Sequence, residues 1–234
     1  TVLSQAARQA QRDAPGEGVD AVLWQQVEER TSDESVLSVT FLAFLSIATM
    51  IAGIGVLLDQ PILIVGAMVV GPEFGPIAGV CVALALRQRT LALRSLRALV
   101  IGFPVAIGIT FLATLVGQAA GLVDSEMLDT AHPLTSFISR PDAFSFIVSL
   151  LAGIAGIVSL TAAKSSALVG VLISVTTVPA AGNTAVALAL GAPSTAAGSM
   201  LQLAINVSGM ILAGTLTLVV QRRRRQRRPL SAAA

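Results

Sequence analysis

Residues 62–86 read ILIVGAMVVGPEFGPIAGVCVALAL, and residues 167–190 read ALVGVLISVTTVPAAGNTAVALAL. Each stretch, Ile62 to Leu86 and Ala167 to Leu190, is interrupted near its middle by proline and glycine, and the first carries an acid, Glu73, at the break. Lipid can neither satisfy the backbone groups that a broken helix frees nor solvate a carboxylate. Such a segment therefore lines a protein-enclosed or water-filled site. Read outward from this pair, the chain is expected to be an all-α polytopic membrane protein, and transport or permeation is the first function to consider.

Composition agrees. With 54% hydrophobic and 12% charged residues and a mean hydropathy of +0.83, the chain falls outside the range of ordinary soluble domains. Six apolar runs qualify as spans: Val36 to Leu58, Ile62 to Leu86, Ala98 to Leu122, Ala143 to Ala163, Ala167 to Leu190 and Ala196 to Val220. All are near or above the roughly 20 residues that cross about 30 Å of hydrocarbon. Lys164, Ser165 and Ser166 fit a tight polar turn between the fourth and fifth.

Basic residues test this topology independently, because short loops rich in Lys and Arg stay cytoplasmic. Arg87, Arg89, Arg94 and Arg97 follow the second span, Lys164 the fourth, and Arg222 to Arg225, Arg227 and Arg228 the sixth. These eleven of fifteen basic residues fall on one side. The other side receives Asp59, the loop carrying Asp124, Glu126, Asp129, His132, Arg140 and Asp142, and an uncharged link at Gly191 to Thr195. Both termini are expected in the cytoplasm. The chain divides into an N-terminal segment (1–35), a transmembrane domain (36–220, with halves 36–122 and 143–220) and a basic tail (221–234).

In the N-terminal segment, Val19, Val22, Leu23 and Val27 share one helical face, as in a short helix lying on a membrane surface. A partly ordered tail is the competing reading. The segment lacks a signal-peptide pattern. Thr31 and Glu34 have the spacing of a capping box that would start the first span. Cys81 is alone, so it can form no internal disulfide and reads as a small buried hydrophobe. One His outside the spans and no phosphate-binding loop argue against enzyme chemistry; no cofactor is expected, and metal binding stays open. The arginine tail sits just after a span, where contact with anionic lipid suits it better than nucleic acid.

The halves resemble each other. Val65-Gly66-Ala67-Met68-Val69 precedes Pro72-Glu73-Phe74-Gly75-Pro76, and Val169-Gly170-Val171-Leu172-Ile173 precedes Pro179-Ala180-Ala181-Gly182-Asn183. Three spans per half invert the second half relative to the first, and breaks in corresponding spans mark a binding site at the repeat interface. Pro72, Pro76 and Pro179 cannot donate to the carbonyls of Met68, Pro72 and Val175, which predicts three freed oxygens. Glu73, Thr176, Thr177, Asn183 and Asn206 would add side-chain oxygens suited to a monovalent cation or a proton relay, with Gly75 and Gly182 shaping the pocket. The restarting helix halves also point N–H groups inward, which favours an anion, so the sign of the ion stays open here. A central carboxylate costs about 2.5 to 3.5 kcal/mol, against roughly 4 to 7 contributed by the span's Leu, Ile, Val and Phe residues. Insertion survives, and the cost argues for a role.

Gly71, Gly75 and Gly79 recur every four residues and predict a face for close helix packing, as do Gly117 with Gly121 and Gly209 with Ala213. These faces suit contacts within one chain or within a homo-oligomer.

The run from Gly66 to Ile77, with Gly-Ala-Met followed by a Pro-x-x-Gly-Pro break, resembles the bacterial and archaeal membrane proteins grouped as domain of unknown function 389. The resemblance extends from about Val36 to Val220, with Val178 to Gly182 similar to the family's second proline-containing span. It implies a prokaryotic plasma membrane, the inner membrane in a bacterium. Glu73 stands where many relatives carry an apolar residue. The family name implies no activity. From the residues, the expectation is a transporter or channel for a small ion or solute with its site between spans two and five; the alternative is a non-transporting scaffold or sensor.

Overall fold

The computed structural model describes residues 31–124, 127, 134–162 and 176–226. The surface helix expected around Val19 to Val27, the turn at Lys164, the loop at His132 and the end of the basic tail lie outside them.

Helix α1 (Val39–Leu57) starts at Ser38, whose hydroxyl accepts from the Phe41 N–H at 3.0 Å. This corrects the expected capping box. Residues 31–34 form a separate helical stretch, and the cap belongs to Ser38, in extended conformation directly before α1. Asp59, at φ 48°, turns the chain, and Pro61 opens α2 (Pro61–Val70), where its fixed φ suits a first helical position. Gly71 leaves helical geometry because Pro72 disfavours it in the residue before. The chain restarts as α3 (Phe74–Leu86), bent by 54° from α2. Arg87 ends α3 in a left-handed cap, and α4 (Arg89–Ala119) runs back with Pro104 inside an uninterrupted helix. A 3-10 turn at Ser136–Ile138 precedes α5 (Ala143–Thr161), which Asp142 caps. The last two elements are α6 (Thr177–Ala189) and α7 (Pro193–Gln226).

Helices α1, α4, α5 and most of α7 are each long and apolar enough to cross a membrane, and the bent pair α2–α3 qualifies as a fifth. The remaining expected span, Ala167 to Leu190, is described only from Thr176, so its first half lies outside the described residues.

The pattern of burial is inside out. Large apolar side chains such as Val100, Leu112, Leu151 and Leu216 are more than half exposed, forming the extended apolar surface that marks contact with lipid or protein. By contrast, α3 from Gly75 to Ala83 and α6 from Thr177 to Ala187 are buried on every side. α3 is apolar all round, as a central helix can be, whereas α6 also buries the polar side chains of Thr177, Asn183 and Thr184. α6 packs against α1 and α4, while α3 packs against α4 and α7 and shares an apolar cluster with Ile157 and Leu160 of α5.

Polar contacts tie the elements together at both ends of the bundle. The Arg222 guanidinium donates to the Ala85 carbonyl, near the C-terminal end of α3. At the other end Asp59 accepts from the Thr135 hydroxyl at 2.8 Å.

Glycine contacts refine the expected packing faces. Gly71 lies before the break and so shares no helix with Gly75 and Gly79; the latter two face Glu34 and the hydroxyls of Ser35 and Ser95. Gly209 packs on Ser149 within the chain, whereas Gly121, at φ 71° with open space around it, serves a turn.

Candidate functional site

The first residues of α3 and α6 meet inside the bundle. Glu73 immediately precedes α3, and its Oε1 accepts a 2.8 Å hydrogen bond from Thr177 at the start of α6. The carboxylate is 3% exposed, and Oε2 has no hydrogen-bond partner among the described residues. It folds back over Gly71, where a Cβ would strike Oε2 and approach Val178 Cγ2 to 2.8 Å. Glycine at 71 is what leaves room for the carboxylate.

A second polar group continues from this contact. Thr176 Oγ1 accepts from Asn206 Nδ2 at 2.8 Å and from Gln202 Nε2 at 3.4 Å, and Gln202 Nε2 also reaches Asn206 Oδ1 at 3.3 Å. One turn and more along α6, Asn183 Nδ2 donates to Ser199 Oγ at 2.8 Å. Ser199, Gln202 and Asn206 follow an i, i+3, i+7 spacing, which aligns them on the face of α7 that meets α6. All three are buried. Asn183 Oδ1 and Gln202 Oε1 lack partners among the described residues.

Of the expected site residues, Glu73 with Thr177 and Thr176 with Asn206 come together directly, and Asn183 lies farther along the same α6–α7 seam. Gly182 sits elsewhere: a Cβ there would meet Thr49 O at 2.7 Å and Gly53 N at 2.8 Å, so it allows α6 to approach the α1 backbone. Gly75 likewise packs against Glu34 rather than lining a pocket. Gln202 and Ser199 were absent from the sequence expectation, although their spacing from Asn206 was available in it.

The three freed carbonyls expected from Pro72, Pro76 and Pro179 reduce to one. The first backbone bonds of the restarted helices are Ile77 N–H to Glu73 O and Ala180 N–H to Thr176 O, both 3.2 Å. Pro76 and Pro179 therefore sit in first turns, where an N–H has no intrahelical acceptor in any case. Neither frees a carbonyl by its own chemistry, and Val175 lies outside the described residues. Pro72 alone withholds a donor from a helix end, at the Met68 carbonyl of α2.

Among the described residues no group of three or more His, Cys, Asp or Glu side chains could hold a metal ion. Cys81 is buried, with its Sγ 3.6 Å from the Ile211 carbonyl, as a small core residue. The break thus collects one carboxylate, neutral amides and hydroxyls, the C-terminal end of α2 and the N-terminal ends of α3 and α6.

This combination defines an all-helical protein with several helices of membrane-crossing length and a buried polar break at its centre. The chain belongs to the family described as domain of unknown function (DUF389), whose model matches residues 68–212. It is 28% identical over 149 residues to an uncharacterised protein of Methanocaldococcus jannaschii, an alignment covering 63% of this chain and 43% of that protein. The chain thus spans less than half of the length of this relative. No solved structure matches.

Proposed function

We propose that this chain is a six-span plasma-membrane transporter or channel for a small ion or solute, with both termini cytoplasmic and its site where α3 and α6 begin. The single observation that carries this reading is Glu73, a buried carboxylate at a helix break with one oxygen held by Thr177 and the other unpartnered among the described residues. An ionisable group at such depth is costly, and a pathway or substrate site is the usual reason for keeping it.

An inverted three-plus-three arrangement supports the same reading. Glu73 and Thr176 occupy matching positions: each lends its carbonyl to the residue four on, and each is followed by proline at the third position and glycine at the sixth. Pro76 thereby corresponds to Pro179 and Gly79 to Gly182, a register four residues away from the Pro72–Pro179 pairing that the sequence suggested. In this register Val65 precedes Pro76 by eleven positions and Val169 precedes Pro179 by ten, so the spacing mismatch nearly vanishes. The packing is reciprocal as well. Besides packing on its own half, α6 on α7 and α3 on α4, each reaches the other: α6 lies against α1 and α4 of the first half, and α3 against α7 and Ile157 of the second. Half-helices that reach across to the other half are what an inverted-repeat transporter with its site at the repeat interface would use.

The test is flux into liposomes containing the purified protein, measured for protons, monovalent cations, small anions and neutral solutes. Flux above empty liposomes for any of these supports the proposal. Flux indistinguishable from empty liposomes across the whole panel would instead favour the scaffold or sensor role.

A further inference from the structure

We propose that Glu73, Thr176, Thr177, Gln202 and Asn206 form a binding site for a dehydrated alkali-metal cation, with Glu73 as its counter-charge. The inference rests on the transport reading of the same break and names its ligand.

The helix ends alone leave the sign of the ion undecided. The N-terminal ends of α3 and α6 favour an anion, and the C-terminal end of α2 favours a cation. The side chains decide. Glu73 Oε2, Gln202 Oε1 and Asn183 Oδ1 are acceptor atoms, buried and unpartnered among the described residues. An anion would add further lone pairs to this surplus and face the carboxylate. A cation at the break neutralises Glu73 and offers Gln202 Oε1 a partner, while Asn183 Oδ1 lies farther along the seam. A proton on Oε2 would supply only one donor, leaving Gln202 Oε1 with the penalty of an unpaired buried acceptor, about 1–3 kcal/mol.

Hard monovalent cations take oxygen ligands, and carboxylate, amide and hydroxyl oxygens make up this site. The two hydrogen-bonded groups are joined through the neighbouring residues Thr176 and Thr177. Thr177 holds Glu73, the adjoining Thr176 accepts from both amides of α7, and those amides contact each other at 3.3 Å. Asn183 and Ser199 form the next polar step along the α6–α7 seam toward the Pro193 end of α7. In the opposite direction the apolar cluster of Ala78, Cys81, Val82, Ile157 and Leu218 offers a cation no ligand set.

The experiment is thermal unfolding of the full chain in nanodiscs of zwitterionic lipid, titrated with lithium, sodium or potassium chloride against choline chloride at constant ionic strength. A ligand that binds the folded state raises the midpoint by mass action. Wild-type protein is expected to show a saturable rise with at least one alkali cation. Glu73→Gln should abolish it, and Gln202→Leu, which keeps bulk but removes the oxygen, should weaken apparent affinity by about tenfold or more. Gln202→Glu, which retains an oxygen acceptor, should restore binding and guards against misfolding of the leucine variant.

The site is overturned if no alkali cation stabilises wild-type protein beyond choline, or if the rise survives in Glu73→Gln. Failure of the transport reading is separable. Cation-specific stabilisation without any flux would retain the site and reject transport, whereas flux indifferent to alkali cations and to Gln202→Leu would retain transport and reject the site.

Discussion

The Thr177 hydroxyl donates to Glu73 Oε1 at 2.8 Å although 104 residues separate the two in sequence. This bond joins the starts of the two central half-helices. Thr177→Val keeps the shape of the side chain and removes the donor, leaving a buried carboxylate oxygen without its partner. The expected cost is about 1–3 kcal/mol, read as a lower unfolding midpoint in detergent. Thr177→Ser should recover most of it; equal loss in both variants would show that the methyl group, not the bond, matters.

Gly71 and Gly66 make a matched pair. A Cβ at Gly71 would run into the Glu73 carboxylate and Val178, whereas nothing lies within 4 Å of a Cβ at Gly66. Gly71→Ala should displace the carboxylate, lowering flux and costing about 1–3 kcal/mol through overpacking. Gly66→Ala should stay within about 0.5 kcal/mol of wild type. Parallel flux and thermal unfolding assays would expose the difference, and equal behaviour of the two would contradict the placement of Oε2.

Where α6 crosses α1, the obstacle is backbone. Gly182→Ala would press a methyl group against Thr49 O and Gly53 N, neither of which can rotate away. Gly117→Ala, in α4, meets only the Val123 side chain, at 3.1 Å. The first substitution should lower the unfolding midpoint more than the second, and the reverse order would contradict the tight α1–α6 crossing.

Asp142 predicts a pH dependence outside the spans. The Ser145 backbone N–H and hydroxyl hold its carboxyl below the usual carboxylate range. Its cap contribution is therefore fully present above the unfolded-state value and is lost as pH falls through the lower folded-state value. Asp142→Asn keeps an acceptor for the α5 N-terminus and removes the charge. Unfolding midpoints of wild type and this variant should converge on acidification, and a gap unchanged with pH would refute the linkage.

Much of this molecule was readable from its residues, for reasons that are physical and local. Run length and apolar composition located α1, α4, α5 and α7, and Pro72 beside Gly71 marked a real break because proline restricts both itself and its predecessor. The partnership of Glu73 with Thr177 was legible only as two residue types suited to the same chemistry; their contact depends on tertiary packing. Pro76 and Pro179 misled as carbonyl-freeing residues because sequence alone did not fix where each helix restarts. Ser38 displaced Thr31 as the cap for the same reason. Gln202 was missed although its alignment with Asn206 and Ser199 on one face was available from spacing.

The central claim is that the break at Glu73 is the permeation site, and it is tested most directly by comparing wild-type and Glu73→Gln protein in liposomes at matched reconstitution. Proton and monovalent-cation flux should be measured in the same preparations. The account predicts a flux in wild type that the substitution abolishes while the variant retains its helical content and unfolding cooperativity. Equal flux through the two folded proteins would contradict it.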